Sequence, residues 1–118
     1  MHIPEDGCLL RIFIGESDRW EGVPLYEAIV RAAKAQGLAG ATVLRGIMGF
    51  GASSRIHSAG ILRLSEDLPI VVEIVDSRAR IDPFVAAIDP MVSEGMITIE
   101  KAHVLRYLHR VPEKGESR

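Results

Sequence analysis

Apolar residues alternate or recur along this chain in six stretches. From 8 to 14 large apolar side chains fall on both parities, with Leu10, Ile12 and Ile14 on one side and Leu9 and Phe13 beside Arg11 on the other. This predicts a strand with both faces in use. From 24 to 36 the spacing of Leu25, Ala28, Ile29, Ala32 and Ala35 predicts a helix; Pro24 suits its first turn and Gly37 its end. Stretch 41–47 and the Ile- and Val-rich stretch 69–75 predict a second and a third strand. From 80 to 94 a second helix is expected, with Ile81, Phe84, Val85, Ile88 and Val92 inward, a kink or split at Pro90 and a C-cap at Gly95. A fourth strand is expected within 96–107.

The order is β-α-β-β-α-β. The expected fold class is therefore α+β: a ferredoxin-like, four-stranded antiparallel sheet with two helices on one face. Residues 1–111 should form a single domain, and the polar stretch 112–118 should be a flexible tail. Parity separates the two faces of the sheet. Leu10, Ile12, Ile14, Val72 and Ile74 are expected beneath the helices. Leu9, Phe13, Val43, Ile47, Val71 and Val75, with Arg11, Arg45 and Glu73 among them, are expected on the open face. That surface is too apolar to face water, so a further subunit should cover it, with Arg11, Arg45 and Glu73 pairing to fix the register.

Composition narrows the function more than the fold. Of 118 residues, 47% are hydrophobic and 25% charged, values that suit one globular domain. A formal net charge of −2 points away from nucleic acid. Cys8 is the sole cysteine and lies in an apolar run, where it reads as a buried thiol. No apolar run reaches membrane-spanning length, and residues 1–7 do not read as a secretory leader; a cytoplasmic protein without membrane insertion is expected. His103 and His109 lack the further ligands a metal site needs. No nucleophile with a base is evident, so a binding function is expected before an enzymatic one.

Between the second and third strands lies a connection, 48–68, much longer than a hairpin needs. Its candidate contact residues are Gly49, Phe50, Gly51, Ser53, Ser54, Arg55 and His57. Backbone N–H groups around Gly49 and Gly51, with Arg55 beside them, suit an anion. His57 either titrates or binds an anion, or simply hydrogen-bonds locally. Connection 15–23 is the second candidate, with Glu16 and Trp20. Trp20 either stacks on a ligand ring or caps the edge of the core. Glu66 and Asp67 read as a solvated turn.

Several motifs taken together are familiar. Leu10-Arg-Ile-Phe-Ile-Gly-Glu-Ser-Asp18, Gly46-Ile-Met-Gly-Phe-Gly51, Ser54-Arg-Ile-His57 and Leu64-Ser-Glu-Asp-Leu-Pro69, followed by Glu73-Ile-Val-Asp76, resemble the PII-like domain-of-unknown-function family 190 over nearly the whole chain. The resemblance implies a homotrimer. It also implies a regulatory role in which a small effector, such as an adenine nucleotide, binds in clefts between subunits. Loop 48–68 would then control a partner, with a membrane transporter or channel protein as one class. Two features depart from true PII proteins: stretch 92–96 lacks their phosphate loop, and loop 48–68 has no tyrosine. An effector-independent adaptor is the alternative reading, and a small enzyme using His57, Glu66 and Asp67 a third.

Overall fold

The computed structural model describes residues 6–51, 57–58 (backbone only) and 67–109. Four strands form the main sheet: β1 (Asp6–Gly15), β2 (Thr42–Arg45), β3 (Pro69–Asp76) and β4 (Met96–His103). Their order across the sheet is β2-β3-β1-β4, antiparallel throughout. Helices α1 (Leu25–Ala35) and α2 (Arg78–Ile88) complete the ferredoxin-like arrangement. Two short two-stranded ladders are added, Arg19–Trp20 with Val23–Pro24 and Met48–Gly49 with His57–Ser58.

The core forms where the covered parity of the sheet meets the helices. Leu10 and Ile12 of β1, Val72 of β3, Ile29 of α1, and Ile81, Phe84 and Ile88 of α2 are all fully buried. α1 follows the expected stripe with one adjustment: Leu25, Ile29 and Ala33 are buried, whereas Ala35 is exposed. α2 is shorter than its apolar pattern suggests. It ends at Ile88 and passes into a 3-10 turn, Asp89–Met91, with Pro90 at that turn's start. A second proline, Pro83, is accommodated within α2 itself. Because the helix stops early, Gly95 does not cap it but leads into β4.

A buried carboxylate ties the two helices to the sheet. Asp76 closes β3 with no solvent exposure. Its Oδ2 accepts from the Ala39 N–H at 2.9 Å and its Oδ1 from the Ser77 N–H at 2.7 Å. The Arg80 Nε lies 3.5 Å away, and the same guanidinium donates to the Gly37 carbonyl beyond the end of α1. Buried charge is tolerated because each oxygen has a donor.

Register settles which residues share the open face. Arg11 pairs across with Glu73, Phe13 with Val71 and Leu9 with Val75, as parity suggests. In β2 the parity is the reverse of that expectation. Val43 lies opposite Val72 and Arg45 opposite Ile70, so both belong to the covered side, while Thr42 and Leu44 oppose Glu73 and Val71 on the open one. Val43 accordingly packs against the core. Arg45 forms an ion pair with Glu16 rather than joining Glu73. Ile47 lies beyond the end of β2 and is exposed.

At the centre of the open face Arg11 bridges its neighbours. Its Nε donates to Glu73 and its Nη1 to Glu100, each at 3.0 Å. The Glu73 hydrogen bond, helped by the charge of Glu100, holds the guanidinium proton above its ordinary affinity. Around this cluster Phe13, Leu44, Val75 and Met96 remain exposed.

Asp76→Ala should lower the unfolding free energy by about 2–4 kcal/mol, because it strands the Ala39 N–H and the Arg80 charge. Asp76→Asn, which keeps one acceptor, should cost less. Urea unfolding checks both, and equal stability of Asp76→Ala and the parent chain would contradict this role.

Candidate functional site

β1 ends in a tight turn that holds its own shape. The Asp18 N–H donates to the Gly15 carbonyl at 3.2 Å, and the Asp18 carboxylate accepts from the Gly15 N–H at 3.0 Å. The Asp18 carbonyl accepts from the Leu25 N–H at 2.7 Å, which joins the turn to the start of α1.

Both legs of loop 48–68 are fastened beside this turn. On the returning leg, Asp67 Oδ1 accepts from the Ser17 N–H at 2.8 Å and the Leu68 carbonyl from the Glu16 N–H at 2.8 Å. The carboxylate comes so close that a Cβ at Gly15 would lie 2.6 Å from it, so a side chain there would push Asp67 off the turn. On the outgoing leg, the Gly46 N–H donates to the Pro69 carbonyl at 2.7 Å, and the Arg45–Glu16 ion pair spans from β2 to the turn. The Met48–Gly49 ladder then starts the loop's own hairpin.

A cleft of about 690 Å³ opens between these parts. Its floor is formed by 13–15 and Asp18, one wall by 49–51 with Asp67, Pro69 and Ile70, and the other by 93–96. The second wall lies close because Gly95 has φ 150 and a Cβ there would lie 2.4 Å from the Phe13 carbonyl. Phe13, Ile14 and Met96 make part of the lining apolar. Its charged groups are Asp18, Asp67 and Glu94; among the described lining residues there is no Lys, Arg or His. The described cleft therefore offers hydrogen-bond acceptors and negative potential, suited to hydroxyl and amino groups, and repels an anion.

Of the residues singled out from sequence, Gly49, Phe50 and Gly51 line this cleft. Ser53, Ser54 and Arg55 lie outside the described residues, as does the His57 side chain. Glu16 is turned to Arg45, and Trp20 is half-buried against the core; neither lines the cleft. Phe13, assigned by parity to a subunit interface, lines it as well. From sequence, Asp67 reads as a solvated turn or, in the enzyme reading, as an acid–base group, and Asp18 only as part of connection 15–23; Glu94 was not singled out. The Gly15–Asp18 spacing is the one local signal for a carboxylate-closed turn. Asp67 meets Ser17 across 50 positions of sequence, which no local pattern reveals.

The family model DUF190, described as an uncharacterized ACR, matches residues 7–104. This chain belongs to the DUF190 family. A UPF0166 protein of Aquifex aeolicus is 40% identical over 97 residues, covering 82% of this chain and 91% of the relative. Among solved structures, CPII of Thiomonas intermedia K12 bound to ADP and bicarbonate superposes with a TM-score of 0.64 at 16% identity, covering 86% of this chain and 90% of CPII. A putative PII-like signaling protein of Thermus thermophilus gives 0.60 at 19% identity, covering 84% of this chain and 89% of that protein. At these identities the likeness establishes the fold: this DUF190 chain has a PII-like architecture.

Asp67→Ala should release the Ser17 amide. Hydrogen exchange of that amide should accelerate, while global stability falls by about 1 kcal/mol or less for an exposed bond. Unchanged exchange at Ser17 would show that Asp67 does not hold the turn.

Proposed function

We propose that this chain is a PII-like regulatory protein, not an enzyme, that binds a small effector and controls a partner through loop 48–68. One observation carries this reading. Residues 49–51 of the outgoing leg and Asp67 of the returning leg line the same cleft. A ligand there contacts both ends of the loop at once, so a difference in its affinity for two loop conformations shifts their populations.

An adenine nucleotide is the proposed effector, supported by the ADP bound to CPII, a protein of the same fold. The lining limits how such a ligand would sit. Ribose hydroxyls and the adenine amino group suit Asp18, Asp67 and Glu94, while Phe13 and Met96 offer apolar contact for the base. Phosphates would turn away from these acids, with a neighbouring copy or Arg55, proposed from its sequence chemistry alone, as their contact. The neighbouring copy belongs to a proposed homotrimer, supported by the exposed apolar side chains around Arg11 on the open face. The proposed setting is the cytoplasm, and the proposed target, following the family resemblance, is a membrane transporter or channel protein.

An effector-independent adaptor remains the second reading. It is favoured by Ile47, Met48 and Phe50, which are exposed together at the base of the loop.

Thermal unfolding with ADP, ATP, cyclic AMP and bicarbonate separates the two. At a ligand concentration near 100 times Kd, binding should stabilise the native state by about 2.7 kcal/mol. Arg55→Ala should lose that shift while keeping its fold and mass. A wild-type chain that no nucleotide stabilises would favour the adaptor.

A further inference from the structure

After His103, which pairs with Asp6 at the end of β4, the chain continues as an irregular arm over 104–109. Two of its residues face its own domain. Val104 packs over Gly7, where an added Cβ would come within 2.9 Å of it, and the half-buried Tyr107 points its hydroxyl at the Ala39 carbonyl, 3.5 Å away. The residues between and after them face outward. Leu105 is 87% exposed and Leu108 72% exposed, and Arg106 between them is exposed as well.

The same molecule carries a surface of matching chemistry. On the open face Leu44, Phe13 and Val75 are uncovered around the Arg11–Glu73–Glu100 cluster. One cation and two carboxylates leave that cluster with one negative charge in excess. The arm presents what the face lacks: two leucines flanking a guanidinium. Val104 and Tyr107 hold the arm against its own domain with the leucines turned away. We propose that the arm 104–109 of one copy docks on the open face of a second copy, Leu105 and Leu108 against its apolar residues and Arg106 toward Glu100. The occupant is a second copy because one sequence supplies both complementary surfaces, so each docking event covers both liabilities of a single protein. The inference rests on the oligomer in the proposed function and names the segment that builds it.

The test uses the full chain and measures dissociation by sedimentation velocity over a dilution series, with circular dichroism as the fold control. Leu105→Ser/Leu108→Ser and, separately, Arg106→Glu should each raise the assembly dissociation constant at least about 10-fold, or 1.4 kcal/mol. Their circular dichroism should match the parent. Adding Glu100→Arg to Arg106→Glu should recover part of the loss. A monomeric wild-type chain, or variants with the parent's dissociation curve, would overturn the proposal. So would a serine variant that loses its fold as a monomer, since the leucines would then serve their own domain. ADP binding is recorded alongside. Arm variants that remain assembled and still bind ADP would sink the arm proposal and leave the regulatory reading standing.

Discussion

β1 is hydrogen-bonded along both edges, to β3 on one side and β4 on the other, and the rest of the domain takes its position from it. One parity of this strand, Leu10 and Ile12, is fully buried against the helices; the other carries Arg11 and its two carboxylates; its last residues form the floor of the cleft. A slip of one residue would send the whole core set outward and bring Arg11 inward. The same pairing that makes the core therefore fixes the open face and the cleft together.

Much of this was legible because apolar periodicity reports burial, and burial in β1, β3 and both helices is complete on one side. Where burial is partial the pattern carries less. β2 is four residues long and lies at the sheet edge, with Val43 half-buried and Leu44 half-exposed, so alternation alone fits either facing. Only its pairing with β3 decides. Likewise, the apolar series through α2 continues past Ile88, yet backbone constraint ends the helix before Pro90. The cleft was legible in part. Gly49 and Gly51 signalled it by composition, whereas Asp18 and Asp67 looked like surface acids because their work is to accept backbone N–H groups brought near by folding.

Carboxylates recur in this protein as fasteners for backbone. Asp76 holds the Ala39 and Ser77 amides in the interior, Asp18 closes its own turn, and Asp67 holds the Ser17 amide. Charge-assisted bonds of this kind are stronger than neutral ones, and each satisfies a donor that a turn would otherwise leave open. In the cleft this has a chemical side effect: groups recruited for architecture also set the polarity of its lining. A site expected to be an anion cradle from its glycines is thus bordered by acceptors in the part described.

The two feet of loop 48–68 are joined by a main-chain bond from the Gly46 N–H to the Pro69 carbonyl, beside the β2–β3 ladder, with the Leu68 carbonyl held in turn by Glu16. The distance the loop must span is therefore set by the sheet and not by the loop. For a flexible segment between fixed ends, doubling its length costs only about 0.6 kcal/mol in closure entropy. Such a scaffold separates two kinds of inheritance. The domain and its cleft can persist while the segment between the feet is lengthened, shortened or rewritten, so the loop can diverge without any rebuilding of the core.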